Sequence, residues 1–349
     1  MKRTSSRKHA IRVIVIALLT VGLLILFFRN SDLREVGRLI GRIDLKWLIP
    51  GFAANLTALC CRSLRWRIIL RPNDPPPVYP TFFATAIGFM SSALLPVRAG
   101  DLIRPTLLSR RTDIRFSSAL GTVVTERLLD LSSIVTLFLT FVALATAGAT
   151  TIPASRLGFL RTAGTVALGI LAGVITLVVV SYRFREPAER LVTRISRGVP
   201  ERFRDSLVNL FVSFVTSLKL PSHPGKLMIV LGFTATIWLC LTSQFYFVMH
   251  AFGSPLPFTA SFLVTALSIL GFSIPTPGGV GGFHKACQIV LVSFYGFSID
   301  TSVAVALIFH LVGTAPVLTT GLILFLHEGM SWRQIEELEE EAEEMATGR

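Results

Sequence analysis

The sequence predicts an all-α polytopic membrane protein with six full transmembrane helices and two re-entrant helical hairpins. Three observations carry this. The 349 residues are 52% hydrophobic and 16% charged, with a mean hydropathy of +0.65, where a soluble domain is roughly 25% charged. The apolar residues fall in long runs, several near the ~20 residues that a helix needs to cross a bilayer. The 34 Lys and Arg, which give a formal net charge of +13, cluster between those runs. Together these exclude a soluble enzyme, a disordered chain and a secreted disulfide scaffold. Bases between apolar runs set orientation and attract anionic headgroups, so the positive charge implies a membrane partner and no nucleic acid.

In chain order, a basic head (Lys2, Arg3, Arg7, Lys8, Arg12) precedes the apolar run Ile11–Phe28. No small-residue cleavage site follows it, so it reads as a first span with a cytoplasmic N-terminus. Residues 29–46 carry Leu33, Val36, Ile40 and Ile43 at helical spacing, which predicts an interfacial amphipathic helix. The further spans are 47–66, 120–148, 159–182, 227–250 and 302–326. Two runs, 81–96 and 258–274, are short for a span and lead into Pro/Gly breaks at 95–100 and 275–282. They predict hairpins over about 81–108 and 258–296, since irregular backbone at membrane depth survives only within protein or beside a cavity. Residues 183–226 form a basic cytoplasmic loop with nine bases and four acids, and 331–349 an acidic cytoplasmic tail that includes seven glutamates from Glu336 to Glu344.

The positive-inside rule favours this topology. A re-entrant 81–96 keeps Arg98, Arg104, Arg110, Arg111 and Arg115 on the inner side, whereas a full crossing would place all five outside. The chain then repeats span, hairpin, span, entered once from each side, an inverted repeat of the kind that places a transport site at the midplane. The pattern rests on hydropathy and charge, because the halves share no clear sequence identity. Cys60, Cys61, Cys240 and Cys287 lie in apolar stretches without metal-ligand spacing, so they read as apolar filler. No metal or cofactor is expected.

Three constellations are candidates for chemistry. Around the first break, Arg98, Asp101 and Arg104 stand beside Gly100. A guanidinium bonds two phosphate oxygens at once, and Asp101 and Arg104, at i,i+3, can pair or share a cavity. Next, Glu126, Arg127 and Asp130 share one face inside a span, where each charge costs about 2.5–3.5 kcal/mol on insertion scales. They either lock this helix to the first hairpin as a structural ion pair, or counter Arg98 and bind a cationic headgroup or proton. Last, Gly278, Gly279, Gly281 and Gly282 precede His284. Such a turn allows left-handed backbone and a following helix that aims its positive end at an anion. It is also readable as a tight turn without a ligand. Gln244, His250 and His310 are expected to make interhelical hydrogen bonds, and Arg62 and Arg65 to snorkel to the headgroups.

With these motifs in order, Arg98-x-Gly100-Asp101-x-x-Arg104, Glu126-Arg127-x-x-Asp130 and Pro277-Gly278-Gly279-Val280-Gly281, the chain resembles the lysylphosphatidylglycerol synthase transmembrane-domain family over roughly 10–328. The resemblance implies a flippase-like membrane domain of bacteria or archaea, standing alone without the synthase domain. Asp101 stands where that family more often has Glu, and His284 where an acid commonly follows the glycine turn. The expectation is a multi-pass protein of the bacterial inner membrane, both termini cytoplasmic, that moves an anionic or aminoacylated lipid between leaflets. It is not expected to be an enzyme, and a homo-oligomer is compatible with the sequence. An accessory membrane subunit and a membrane-embedded lipid-modifying enzyme are the alternatives.

Overall fold

A computed structural model describes residues 2–71, 73–95, 100–150, 152–183 and 223–347. Arg98 and the body of the basic loop 183–226 lie outside the described residues. Every regular element among the described residues is helical: α1 (Lys2–Phe28), α2 (Leu33–Ile40), α3 (Leu48–Leu70), α4 (Val78–Leu94), α5 (Gly100–Arg111), α6 (Phe116–Thr146), α7 (Ala154–Arg183), α8 (Pro224–Ala251), α9 (Phe258–Phe272), α10 (Gly282–Tyr295), α11 (Ile299–His327) and α12 (Trp332–Thr347). Short 3₁₀ turns at Leu45–Trp47 and Pro277–Gly279 lead towards α3 and α10.

Of these helices, α6, α8 and α11 are each long and apolar enough to cross a membrane, and α1 with α2 passes only as a pair bent by 82°. There are thus three clear candidate spans among the described residues, up to four, where the hydropathy pattern predicts six. The difference at α3 has a physical cause. Arg62, Arg65 and Arg67 dilute the apolar character of its second half, and they are held by partners rather than by lipid. The two short apolar runs do form short helices, α4 and α9.

Local chemistry sets several boundaries. Asp32 caps α2 by accepting the Arg34 N–H at 2.9 Å, and Ser298 caps α11 by accepting the Thr301 N–H at 3.1 Å. The expected apolar face is present, with Val36 buried and Ile40, and Ile43 just beyond the end of α2, packed on the core, but Leu33 is exposed.

Two stretches of the chain repeat one order of elements and interlock, with α4 packed on α11 and α6 on α9. In each, a long helix, a pair of shorter helices and another long helix follow in order: α3, α4/α5, α6 and α8, α9/α10, α11. The long helices α3 and α8 pack together along the join, α4 packs on α5, and α9 on α10. Both pairs close on glycine. A Cβ on Gly100, the first residue of α5, would lie 1.7 Å from the Gly88 carbonyl oxygen, and one on Gly282, the first residue of α10, 2.3 Å from that of Gly271. The close approach therefore needs glycine at Gly100 and Gly282. The α9/α10 pair sits in one apolar core with Phe245, Phe283 and Phe309, and the α4/α5 pair in another with Trp66, Phe83 and Ile103. The outer surface remains apolar, as at Ile25, Ile323 and Leu326, the exposure pattern of a lipid-facing belt.

The acidic tail forms the helix α12. Ile335, Leu338 and Ala342 are buried, and α12 packs on α5. Arg110 pairs with Glu341, and Glu328 takes Arg111 at 2.6 Å and the Tyr79 hydroxyl at 2.5 Å.

Candidate functional site

A lattice of seven charged side chains joins α3, α5 and α6. Its centre is Arg65, 0% exposed, which donates to Asp130 Oδ1 at 3.1 Å, to Glu126 Oε1 at 3.3 Å and to Thr234 Oγ1 at 3.2 Å. Arg62 donates to Asp130 Oδ2 at 3.1 Å. Arg104 takes the other oxygen of Glu126 and lies with its guanidinium carbon 4.2 Å from the centre of the Trp66 ring. Arg127 engages both oxygens of Asp101, its Nε at 3.1 Å, and comes to 4.0 Å of Asp130 Oδ2. Trp66 is anchored by its indole N–H, which donates to Thr122 Oγ1 at 2.8 Å.

Buried charges persist when paired in this way, and helical spacing explains why these residues meet. Arg62 and Arg65 at i,i+3 present one face of α3, and Glu126 and Asp130 at i,i+4 present one face of α6. Asp101, Arg104, Glu126, Arg127 and Asp130 are therefore brought together, as a link between α6 and α5. Asp101 and Arg104 do not pair with each other, because each faces an oppositely charged residue of α6. Arg62 and Arg65, expected to reach for the headgroups, instead turn inward, to the carboxylates that α6 presents. The signal that finds them is their position inside an apolar run at the spacing of one helix face. The partner expected for Glu126 and Asp130, Arg98, is outside the described residues.

The glycine turn carries the second constellation. Gly278, Gly279 and Gly281 all have positive φ (58°, 69° and 88°). The His310 ring Nε2 lies 2.9 Å from the Gly278 carbonyl, which places a proton on that nitrogen. The Gly281 N–H donates to His284 Nδ1 at 3.3 Å. The two imidazoles lie tilted by 39° with centroids 4.5 Å apart, and each bonds the backbone of the turn. His310 thus bonds between α11 and the turn, as expected of an interhelical polar group, whereas His250 bonds back to Tyr246 of its own helix. The turn also meets the other half of the molecule: a Cβ on Gly278 would stand 2.9 Å from the Ala93 carbonyl oxygen of α4.

Between the charged lattice and this turn lies a cavity of about 380 Å³. Arg62, Arg127 and Asp130 supply its charged wall, and Phe272, Phe283 and Phe309 its apolar wall, with His310 beside them. The sequence brought neither Asn55 nor Trp238 forward, yet both line it, and Asn55 donates to the Gly313 carbonyl at 2.7 Å. Among the described residues no group of three or more His, Cys, Asp or Glu side chains is placed to hold a metal ion.

The model of the lysylphosphatidylglycerol synthase TM region matches residues 10–321. The chain belongs to this family. With its apolar helices, that makes it a multi-pass membrane protein. It is also similar to the glycosyltransferase AglD of Haloferax volcanii, with 25% identity over 345 residues, 89% of this chain and 54% of the relative. The chain thus spans about half the length of that protein. No solved structure matches it.

Proposed function

We propose that this protein carries a membrane lipid by its headgroup between the leaflets, using the cavity between its two halves as the binding site. The observation that supports it most is the meeting of the glycine turn with α4 beside a cavity that has arginines on one wall and phenylalanines on the other. On this reading α1, α3, α6, α7, α8 and α11 cross the membrane. The pairs α4/α5 and α9/α10 enter from opposite sides as re-entrant hairpins. The two similar halves are an inverted repeat that rocks about the α3–α8 contact. The protein sits in a bacterial cytoplasmic membrane with both termini inside. The α4/α5 hairpin then faces the cytoplasm, Arg62 and Arg127 hold the phosphate, and the glycine turn forms the opposing wall.

The test is leaflet translocation of acyl-labelled phospholipids in proteoliposomes, comparing the parent with Arg62→Gln and Arg98→Ala. Protein-dependent movement that both substitutions reduce supports the reading, and movement equal in all three overturns the site. The name of the Haloferax relative favours a second reading, in which the lipid carries a sugar and the chain serves a glycosyl-transfer step. Product formation by the purified protein from a lipid-linked sugar distinguishes it.

A further inference from the structure

We infer that the cavity takes an anionic headgroup without an ammonium group and discriminates against an aminoacylated one. This deepens the transport reading and rests on it. The reason is the disposition of every carboxylate oxygen in the lattice. Asp101 has both oxygens on Arg127. Glu126 gives one oxygen to Arg65 and the other to Arg104. Asp130 gives one to Arg65 and the other to Arg62. All six oxygens are engaged, by four guanidinium groups, so the lattice carries one cation more than it has anions. An ammonium entering the cavity finds no carboxylate oxygen without a guanidinium already on it, so it can bind there only beside an arginine of like charge.

The donors are in the opposite condition. A guanidinium has five N–H groups, and Arg62 spends one on the lattice. Arg127 keeps 38% of its side chain exposed while holding Asp101. Both line the cavity. A phosphate that meets them gains charge-assisted, two-oxygen hydrogen bonds and neutralises the surplus charge. A lysyl ester on the headgroup glycerol adds two positive charges next to Arg62 and Arg127, and the carboxylate in the cavity wall, Asp130, is already held by Arg62 and Arg65. The chemistry recognised is a phosphate monoester or diester with an uncharged or absent substituent, which a glycerophospholipid or a polyisoprenyl phosphate supplies equally.

The experiment measures initial translocation rates of acyl-labelled phosphatidylglycerol and acyl-labelled lysylphosphatidylglycerol by the full-length protein in liposomes of neutral phosphatidylcholine. Unlabelled phosphatidylglycerol and an unlabelled polyisoprenyl phosphate serve as competitors. The expected result is phosphatidylglycerol at least about tenfold faster than its lysyl ester. Stronger competition by one competitor identifies which lipid is the source of the phosphate. Arg62→Gln frees one oxygen of Asp130, so it should shrink the ratio by slowing phosphatidylglycerol and speeding the lysyl ester. Thermal unfolding of the variant confirms that it is folded. A lysyl ester that moves as fast as phosphatidylglycerol in the parent overturns the inference and leaves the transport reading standing. Movement of neither lipid, with no competitor bound, overturns both.

Discussion

Replacing Arg65 by methionine tests the charged lattice where it is most buried. The side chain is fully enclosed and has three acceptors, Asp130, Glu126 and Thr234. Methionine preserves much of the length and removes every one of these bonds. Glu126 is then left with Arg104 alone and Asp130 with Arg62 and the more distant Arg127, and the lattice passes from a surplus of one cation to balance. Balance does not rescue it, because the two carboxylate oxygens that faced Arg65 lose their donors on side chains only 5% (Glu126) and 11% (Asp130) exposed. Removing one partner of a buried ion pair costs about 3–5 kcal/mol, and Arg65→Met is expected to fall in that range. The assay is reversible unfolding of the purified protein in mixed micelles, followed by the helical circular dichroism signal. Adding Glu126→Gln to Arg65→Met removes one stranded charge, so the double variant should be less destabilised than the two single effects added, by about 0.5–3 kcal/mol. Arg333→Ala, which breaks an exposed i,i+4 pair with Glu337, should leave stability unchanged within error. A stability for Arg65→Met within about 1 kcal/mol of the parent, or strict additivity in the double variant, would refute the claim that Arg65 holds the lattice together.

Three more outcomes follow from the packing. Gly100→Ala and Gly282→Ala each put a methyl group well inside van der Waals contact distance of a facing carbonyl oxygen. Each should cost at least about 1–3 kcal/mol or abolish folded protein, while Gly22→Ala, with nothing within 4 Å of the new carbon, should be neutral in the same expression and unfolding assays. Glu328 sits outside the spans, and its hydrogen bonds from Arg111 first and Tyr79 second pull its carboxyl from the usual 4.5 down to about 2. Because the folded value is the lower one, the contact's stabilisation is complete above pH 4.5 and fades as pH falls through about 2. Fluorescence of Trp332, which packs against Phe325, should report loosening of the tail in that window in the parent, and an insensitive tail in Glu328→Gln. His310→Phe strands the Gly278 carbonyl and should cost about 1–3 kcal/mol in unfolding; an unchanged stability would mean that the histidine does not hold the turn.

The sequence alone determined the helical membrane class, the order of the elements and the charged residues of α5 and α6. Hydropathy runs and i,i+3 or i,i+4 spacing are properties of one segment at a time, so Glu126, Arg127 and Asp130 could be read as one face before any fold was known. The glycine turn was legible for the same reason: four glycines in five positions require backbone that an ordinary helix does not have. The pairing partners depended on tertiary structure. Arg62 and Arg65 lie near the end of an apolar run, where the same local pattern fits side chains reaching for headgroups and side chains reaching for a neighbouring helix. Only the position of α6 beside α3 decided between them. In the same way, His284 looked alone until α11 brought His310 to it, and the contact of Gly278 with Ala93 joined two breaks far apart in the chain. Which residues are chemically eligible is written in local spacing; which of them meet is decided by how helices distant in sequence pack.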